Sequence, residues 1–209
     1  MASGRRSIGS SAPSTPAQPR IESSAKLKLH LGCGKRYLPG FVHVDRADFP
    51  HIDFRCGADS LHMFESDAAE LIYASHMLEY FDRVEVRRVL EEWRRVLCPG
   101  GLLRLAVPDF EPLAEVYFQN RKLDTILGPL YGHMEIAGTD AAIYHKTVYD
   151  FESLRNLLEE CGFRDVRRYD WRETIHRGVD DHSQAYIPHM DKEHGKLISL
   201  NVECLKSSA

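Results

Sequence analysis

The chain has 209 residues, room for one domain and little beyond it. Its 27 basic and 31 acidic residues give a net charge of -4, and with Arg5, Arg6, Arg20 and Glu22 set apart, residues 26–209 carry 24 basic against 30 acidic groups, the wrong balance for neutralising nucleic-acid phosphates. Five cysteines (Cys33, Cys56, Cys98, Cys161, Cys204) without a CxxC pair exclude a disulfide framework and a thiolate metal knuckle, and no apolar run nears the roughly 18 residues of a membrane span. The expectation is a soluble cytoplasmic protein with neither nucleic-acid nor membrane partners.

Residues 1–25 are rich in Ser, Ala, Pro and Gly, with only Ile8 and Ile21 as large aliphatics, so a disordered tail is expected there. Their serine and arginine content also resembles an organelle transit peptide, but an amphipathic face is missing. The domain is expected over residues 26–209. From Lys26 onward short apolar runs alternate with helical periodicity, the pattern of a mostly parallel sheet covered by helices. LKLHL (27–31) alternates and stops at Gly32; FVHVD (41–45) ends on an acid; HIDF (51–54) is a short third strand; ELIYASH (70–76) is a buried fourth. Val86, Val89, Leu90, Trp93, Val96 and Leu97 recur at spacings of three and four, marking a helix that Pro99-Gly100-Gly101 stops. LLRLAVP (102–108) is the fifth strand. A helix from about Phe151 carries Leu154, Leu157, Leu158 and Cys161 inward between an Asp150 N-cap and Gly162. FRDVRRYDW (163–171) and KLISLNVEC (196–204) complete the strands. The nine residues from Gly32 to Gly40 are too few for a full parallel crossover, so a very short helix or a turn is expected there.

Two glycines directly after a strand, Gly32 and Gly34, allow backbone to approach a ligand. The third glycine of a dinucleotide fingerprint is absent, since Lys35, Arg36 and Tyr37 follow. Asp45 comes eleven residues after Gly34, not the ~20 of NAD-binding folds, which suits a nucleoside site better than a dinucleotide site.

LHLGCGKRYLPGFVHVD, ELIYASHMLEYF, RVLCPGGLLRLAVPD and HKTVYDFESLRNLLEECGF, collinear over residues 27–169, resemble class I S-adenosylmethionine-dependent methyltransferases, most closely the methyltransferase type 11 group. The resemblance implies a Rossmann-like α/β fold: a seven-stranded, mostly parallel sheet with helices on both faces and an antiparallel last strand inserted beside the fifth. It implies S-adenosyl-L-methionine as cofactor, with Gly32, Cys33 and Gly34 along the methionine part, Asp45 on the ribose, and Ser75 and His76 facing the methyl group. Where the family has an acid followed by Ala to read adenine, this chain has Gly57-Ala58 with Asp59 beyond, so either Asp59 or the Ala58 backbone is expected to serve.

Ligands bind outside the carboxyl ends of parallel strands, which puts two polar segments at the site mouth. One is the 172–194 loop, with Arg172, His176, Asp180, Asp181, His182, Ser183, Gln184, Tyr186 and His189; the other runs from Asp109 to His145, with Tyr131, His133, Glu135, Tyr144 and His145. The acceptor is expected to be a polar small molecule, and similarity to polysaccharide-cluster members implies a carbohydrate-linked one. A hydroxyl acceptor needs a base, for which His76 and His145 are the first candidates and His182 the third; His76 equally fits a structural role, and Glu79 reads as a local cap or ion-pair partner. No metal is expected, because no histidine pair has zinc-enzyme spacing. Two other readings stay open: a non-catalytic S-adenosylmethionine-binding partner subunit, and a nucleotide-dependent oxidoreductase.

Overall fold

The computed structural model describes residues 26–135 and 142–208; the tail expected over residues 1–25 lies outside them. Seven strands form the main sheet: β1 (Leu27–Leu31), β2 (Val42–Asp45), β3 (Phe54–Arg55), β4 (Ala69–Ser75), β5 (Leu97–Pro108), β6 (Phe163–Arg168) and β7 (Ser199–Lys206). Their order is β3-β2-β1-β4-β5-β7-β6. β7 runs antiparallel to both β5 and β6, so it is the reversed strand, lying beside the fifth as the family resemblance implies.

Helix α1 (Glu85–Val96) buries Val86, Val89, Leu90, Trp93 and Val96, the face its periodicity marks. Asp82 Oδ1 accepts from the Val84 and Glu85 N–H groups, each at 2.8 Å, and satisfies donors that the first turn leaves free. Helices α2 (Phe110–Asn120) and α3 (Asp124–Tyr131) lie where periodicity gives no warning, because Phe110, Phe118, Leu123 and Leu127 stay exposed while Leu113, Val116 and Ile126 go inward. Helix α4 (Phe151–Glu160) starts at a reciprocal capping box between Asp150 and Ser153.

Strand alternation gives the sheet two unlike faces. Leu29, Leu31, Val44, Ile72, Ala74, Leu103, Leu105, Leu200, Val202 and Cys204 form one apolar core with α1 and α4. The opposite face carries a row of polar and aromatic residues across five strands: His43, His30, Tyr73, Arg104 and Glu203 stand side by side in register. Over β1, β4 and β5 this face packs against Leu38, Phe41 and Val179, which belong to loops. Turns stand between β1 and β2, as the short Gly32–Gly40 connection requires, and the 172–194 segment covers this part of the sheet.

Other boundaries also move. The third strand sits at Phe54–Arg55, and β5 begins already at Leu97, pairing with Ala69 before its register shifts through Pro99-Gly100-Gly101. The last expected strand divides at Ile198: Lys196–Leu197 pairs with Tyr186–Ile187 in a hairpin, and the Ile198 N–H goes to Ala185 O at 2.9 Å. The 172–194 segment is therefore folded on itself by two short 3-10 turns and that hairpin. No helix among the described residues is long and apolar enough to cross a membrane.

Candidate functional site

A cavity of about 910 Å³ opens at the carboxyl ends of β1, β2 and β4. Gly32, Cys33, Gly34, Asp45, Ala58, Asp59, Ser75, His76 and His182 all line it, so the structure brings every expected cofactor residue together with two further histidines, His182 and His30. His145 is outside this lining and sits behind it. Of the 172–194 segment Asp181 and His182 reach the cavity, whereas His176, Ser183 and Gln184 are buried in the cover itself.

The two glycines do different work. Gly34, at a left-handed φ of 54°, faces open space where a Cβ would stand, and its N–H donates to Asp45 Oδ2 at 2.7 Å. Gly32, at φ 61°, is closed over instead: a Cβ there would come within 2.5 Å of Met77 Sδ. Its missing side chain admits Met77, so Gly32 meets the cavity through its backbone, while open space in the Cβ direction is found at Gly34. Asp45 Oδ1 accepts from the Ala47 N–H at 2.7 Å, so each carboxylate oxygen is fixed by one backbone donor and keeps further lone-pair capacity. Burial and the nearby Asp45 push the Cys33 thiol up to about 12, which keeps it a neutral wall residue.

Beyond β3, Arg46 Nη2 donates to Asp59 Oδ1 at 3.0 Å. A Cβ on Gly57 would lie 2.1 Å from that same Asp59 oxygen, so a side chain there would have to displace the Asp59–Arg46 pair. The Ala58 carbonyl is taken by Trp93 Nε1 at 2.7 Å, tying this wall to α1.

At the end of β4, Ser75 Oγ is buried without a hydrogen-bond partner among the described residues. His76 follows with φ 49°, a conformation non-glycine residues rarely hold and one that clusters at functional positions. Its Nε2 is 3.1 Å from Ser199 Oγ and its Nδ1 is 3.4 Å from Glu79 Oε1. Glu79 is fully buried and its carboxyl oxygens have no hydrogen-bond partner among the described residues. On its other side stands His145 Nε2, 3.8 Å from the same carboxyl oxygen, while His145 Nδ1 lies 2.9 Å from Pro129 O. Burial, then the His182 and His145 rings, hold His76 well below the ordinary histidine value; burial also lowers His145 and pushes Glu79 up to about 8. The His182 ring packs edge-on to His76 at 5.1 Å and opens into the cavity, where partial desolvation and then the Arg36 guanidinium keep it below its ordinary value.

The cover is pinned from beneath. Tyr73 Oη donates to Asp181 Oδ2 at 2.5 Å, and Asp181 Oδ1 accepts from Ser183 N and Oγ. Arg36 Nε donates to Asp180 O at 3.2 Å and links the glycine loop to the cover. Sequence reasoning missed Arg36 and Arg88 as lining residues and gave Glu79 only a local role. The available signal for Glu79 was its isolation as a charge within Met77-Leu78-Glu79-Tyr80-Phe81. Among the described residues no three His, Cys, Asp or Glu side chains converge as a metal site.

This geometry can be set beside known proteins. A methyltransferase domain family, the type 11 model, matches residues 37–105, about a third of the chain. Among solved structures, an S-adenosylmethionine-dependent methyltransferase from Thermotoga maritima is similar with a TM-score of 0.52 at 15% identity, over 88% of this chain and 84% of that one. The fold is that of a class I S-adenosylmethionine-dependent methyltransferase. A second such enzyme, from Archaeoglobus fulgidus, is similar with a TM-score of 0.52 at 14% identity, over 88% of this chain and 87% of that one. A Pyrococcus horikoshii protein is similar with a TM-score of 0.52 at 16% identity, over 88% and 83%. No match was found among curated proteins. The methyltransferase domain and this fold imply S-adenosylmethionine as the cofactor. The residues present fit such a group: open space over Gly34, a fixed carboxylate at Asp45 and an unpartnered hydroxyl at Ser75.

Proposed function

We propose that the chain transfers the methyl group of S-adenosylmethionine to a polar small-molecule acceptor. The observation that carries this reading is the meeting of the Gly34 loop, Asp45, Ser75 and His182 in one cavity at the carboxyl edge of the sheet. The bound cofactor supplies a methyl group on a sulfonium, already a good leaving group, so the protein's share is alignment and proton handling. Asp45 accepts from the ribose hydroxyls, held in place by the Gly34 and Ala47 N–H groups. Gly32, Cys33 and Gly34 border the methionine part, Ser75 and His76 border the methyl position, and Ala58 or Asp59 meets adenine.

Of the three candidate histidines, His182 fits the base best. It lines the cavity and makes no ring hydrogen bond among the described residues, while His76 and His145 each have a ring nitrogen engaged by Ser199 and Pro129. Its lowered proton affinity leaves it unprotonated at neutral pH and able to take a hydroxyl proton from the acceptor. The carbohydrate-linked acceptor has no counterpart among the comparisons, so the proposal stays with the broader polar class.

An acceptor screen with methyl-labelled S-adenosylmethionine tests this reading. Label is expected to move to a polar acceptor, and His182→Ala should lower kcat by about 10²-fold or more with S-adenosylhomocysteine affinity near wild type. Tight S-adenosylhomocysteine binding with no label transfer to any acceptor would favour the non-catalytic binding subunit.

A further inference from the structure

At the cavity wall and behind it, three titratable groups meet with little exposure: Glu79 is fully buried, and the side chains of His76, which lines the cavity, and His145 are 10% and 8% exposed. Hydrogen-bond accounting fixes their protons. Asn201 Nδ2 donates to Ser183 O at 2.9 Å, so Asn201 Oδ1 is the acceptor that faces Ser199. Ser199 Oγ spends its one hydrogen on that oxygen at 3.0 Å and must accept from His76, which places a proton on His76 Nε2. Pro129 O accepts only, which places a proton on His145 Nδ1. In their neutral forms both rings therefore turn a bare nitrogen, His76 Nδ1 and His145 Nε2, toward the same Glu79 oxygen. An ionised carboxylate there would face two lone pairs with no donor of its own.

We propose that Glu79 is an uncharged carboxylic acid whose O–H points toward His76 Nδ1, with His145 Nε2 beside the same oxygen, a positioning residue that keeps both rings neutral in the tautomers that Ser199 and Pro129 set. His182 is then the one histidine at this end of the cavity free to take a proton during turnover. The inference rests on the methyltransferase reading for that consequence, but the proton arrangement stands on the geometry alone. Tyr80 and Tyr149 are the other titratable groups against Glu79, both raised by burial and then by Glu79, so neither supplies a countercharge. His182 and Arg36 lie beyond His76 and disfavour charge on its ring.

The test compares wild type, Glu79→Gln and Glu79→Leu by nitrogen-15 NMR of the histidine rings across pH 5 to 9, with S-adenosylhomocysteine affinity measured on the same samples. A glutamine amide mimics the neutral acid and can donate to both nitrogens. Glu79→Gln should therefore keep the His76 Nε2–H and His145 Nδ1–H tautomers and remove the change that wild type shows as pH rises through about 8. Glu79→Leu removes the donor without replacing it, so His76 Nδ1 should lose the nitrogen-15 signature of an accepted hydrogen bond; if that variant does not fold, Glu79→Gln decides. A charged His76 ring at pH 7 in wild type that becomes neutral in Glu79→Gln would overturn the proposal, because it would show a carboxylate paired with imidazolium. Intact tautomers without S-adenosylhomocysteine binding would count against the cofactor reading and leave the proton arrangement standing.

Discussion

On the face that α1 and α4 cover, the strands present Leu29, Ile72, Leu105 and Val202; on the other face the same strands present His30, Tyr73, Arg104 and Glu203. The first face is held by apolar area, which is non-directional and tolerates any partner of the right size. The second is held by directed contacts: Leu38 N–H to His43 Nε2 at 2.9 Å, Tyr73 to Asp181, and the Arg104 guanidinium on Glu203 Oε2 at 2.7 and 3.1 Å. That difference has a functional consequence. A loop anchored by single hydrogen bonds places Asp181 and His182 at the cavity with defined geometry, while the helix-covered face carries the weight of stability.

The comparison breaks first where stability is concentrated. Trp93→Ala removes a fully buried indole and its bond to Ala58 O, and a loss of about 3–5 kcal/mol is expected in urea denaturation. Tyr73→Phe acts on the other face: it leaves Asp181 Oδ2 without its donor, at a cost of about 1–3 kcal/mol. It should also loosen the cover, lowering kcat more than S-adenosylhomocysteine affinity. An equal loss for a conservative change on each face, such as Leu105→Val, would dissolve the distinction.

Acid should attack the polar face selectively. Burial pulls His30 down to about 3 and His176 down to about 4, so both are neutral in the fold and take up protons on unfolding. Their contribution is present above pH 6.5, the ordinary histidine value, and is lost as pH falls through about 4 toward 3. Melting temperature should therefore drop across that window, and His30→Leu should flatten part of the drop. A drop of the same size in His30→Leu would mean that other groups drive it. The smallest effect concerns Gln184, whose amide donates to Val179 O at 3.0 Å inside the cover. Gln184→Ala should cost about 1 kcal/mol in denaturation and leave S-adenosylhomocysteine affinity unchanged.

The contrast also marks what sequence can say. Alternation in LKLHL and the three-and-four spacing in α1 report which residues face a core, and the apolar face follows from them directly. Those patterns do not report what lies over His30 or Tyr73. A polar residue on a strand reads alike whether water or a folded loop covers it, and the Tyr73 partner Asp181 is 108 residues away. The meeting of Gly34 with Asp45 was legible for a related reason: they are brought together by adjacent strand ends, close in the chain. Glu79 was not, because its neighbours His76 and His145 are assembled by the return of a segment 66 residues later in the chain than Glu79 itself, as the Lys146 and Thr147 N–H bonds to Glu79 O show. Gly32 was legible as a glycine that something approaches, but the approaching group is Met77.

The central claim is that the Gly34–Asp45 corner of the cavity holds the cofactor's ribose, and calorimetric titration of S-adenosylhomocysteine into wild type and Asp45→Ala tests it most directly. Charge-assisted hydrogen bonds of roughly 1.5–3 kcal/mol are at stake, so the account predicts saturable binding to wild type and binding at least about tenfold weaker to the variant. Unchanged affinity in a folded Asp45→Ala protein, or no binding to wild type, would contradict it.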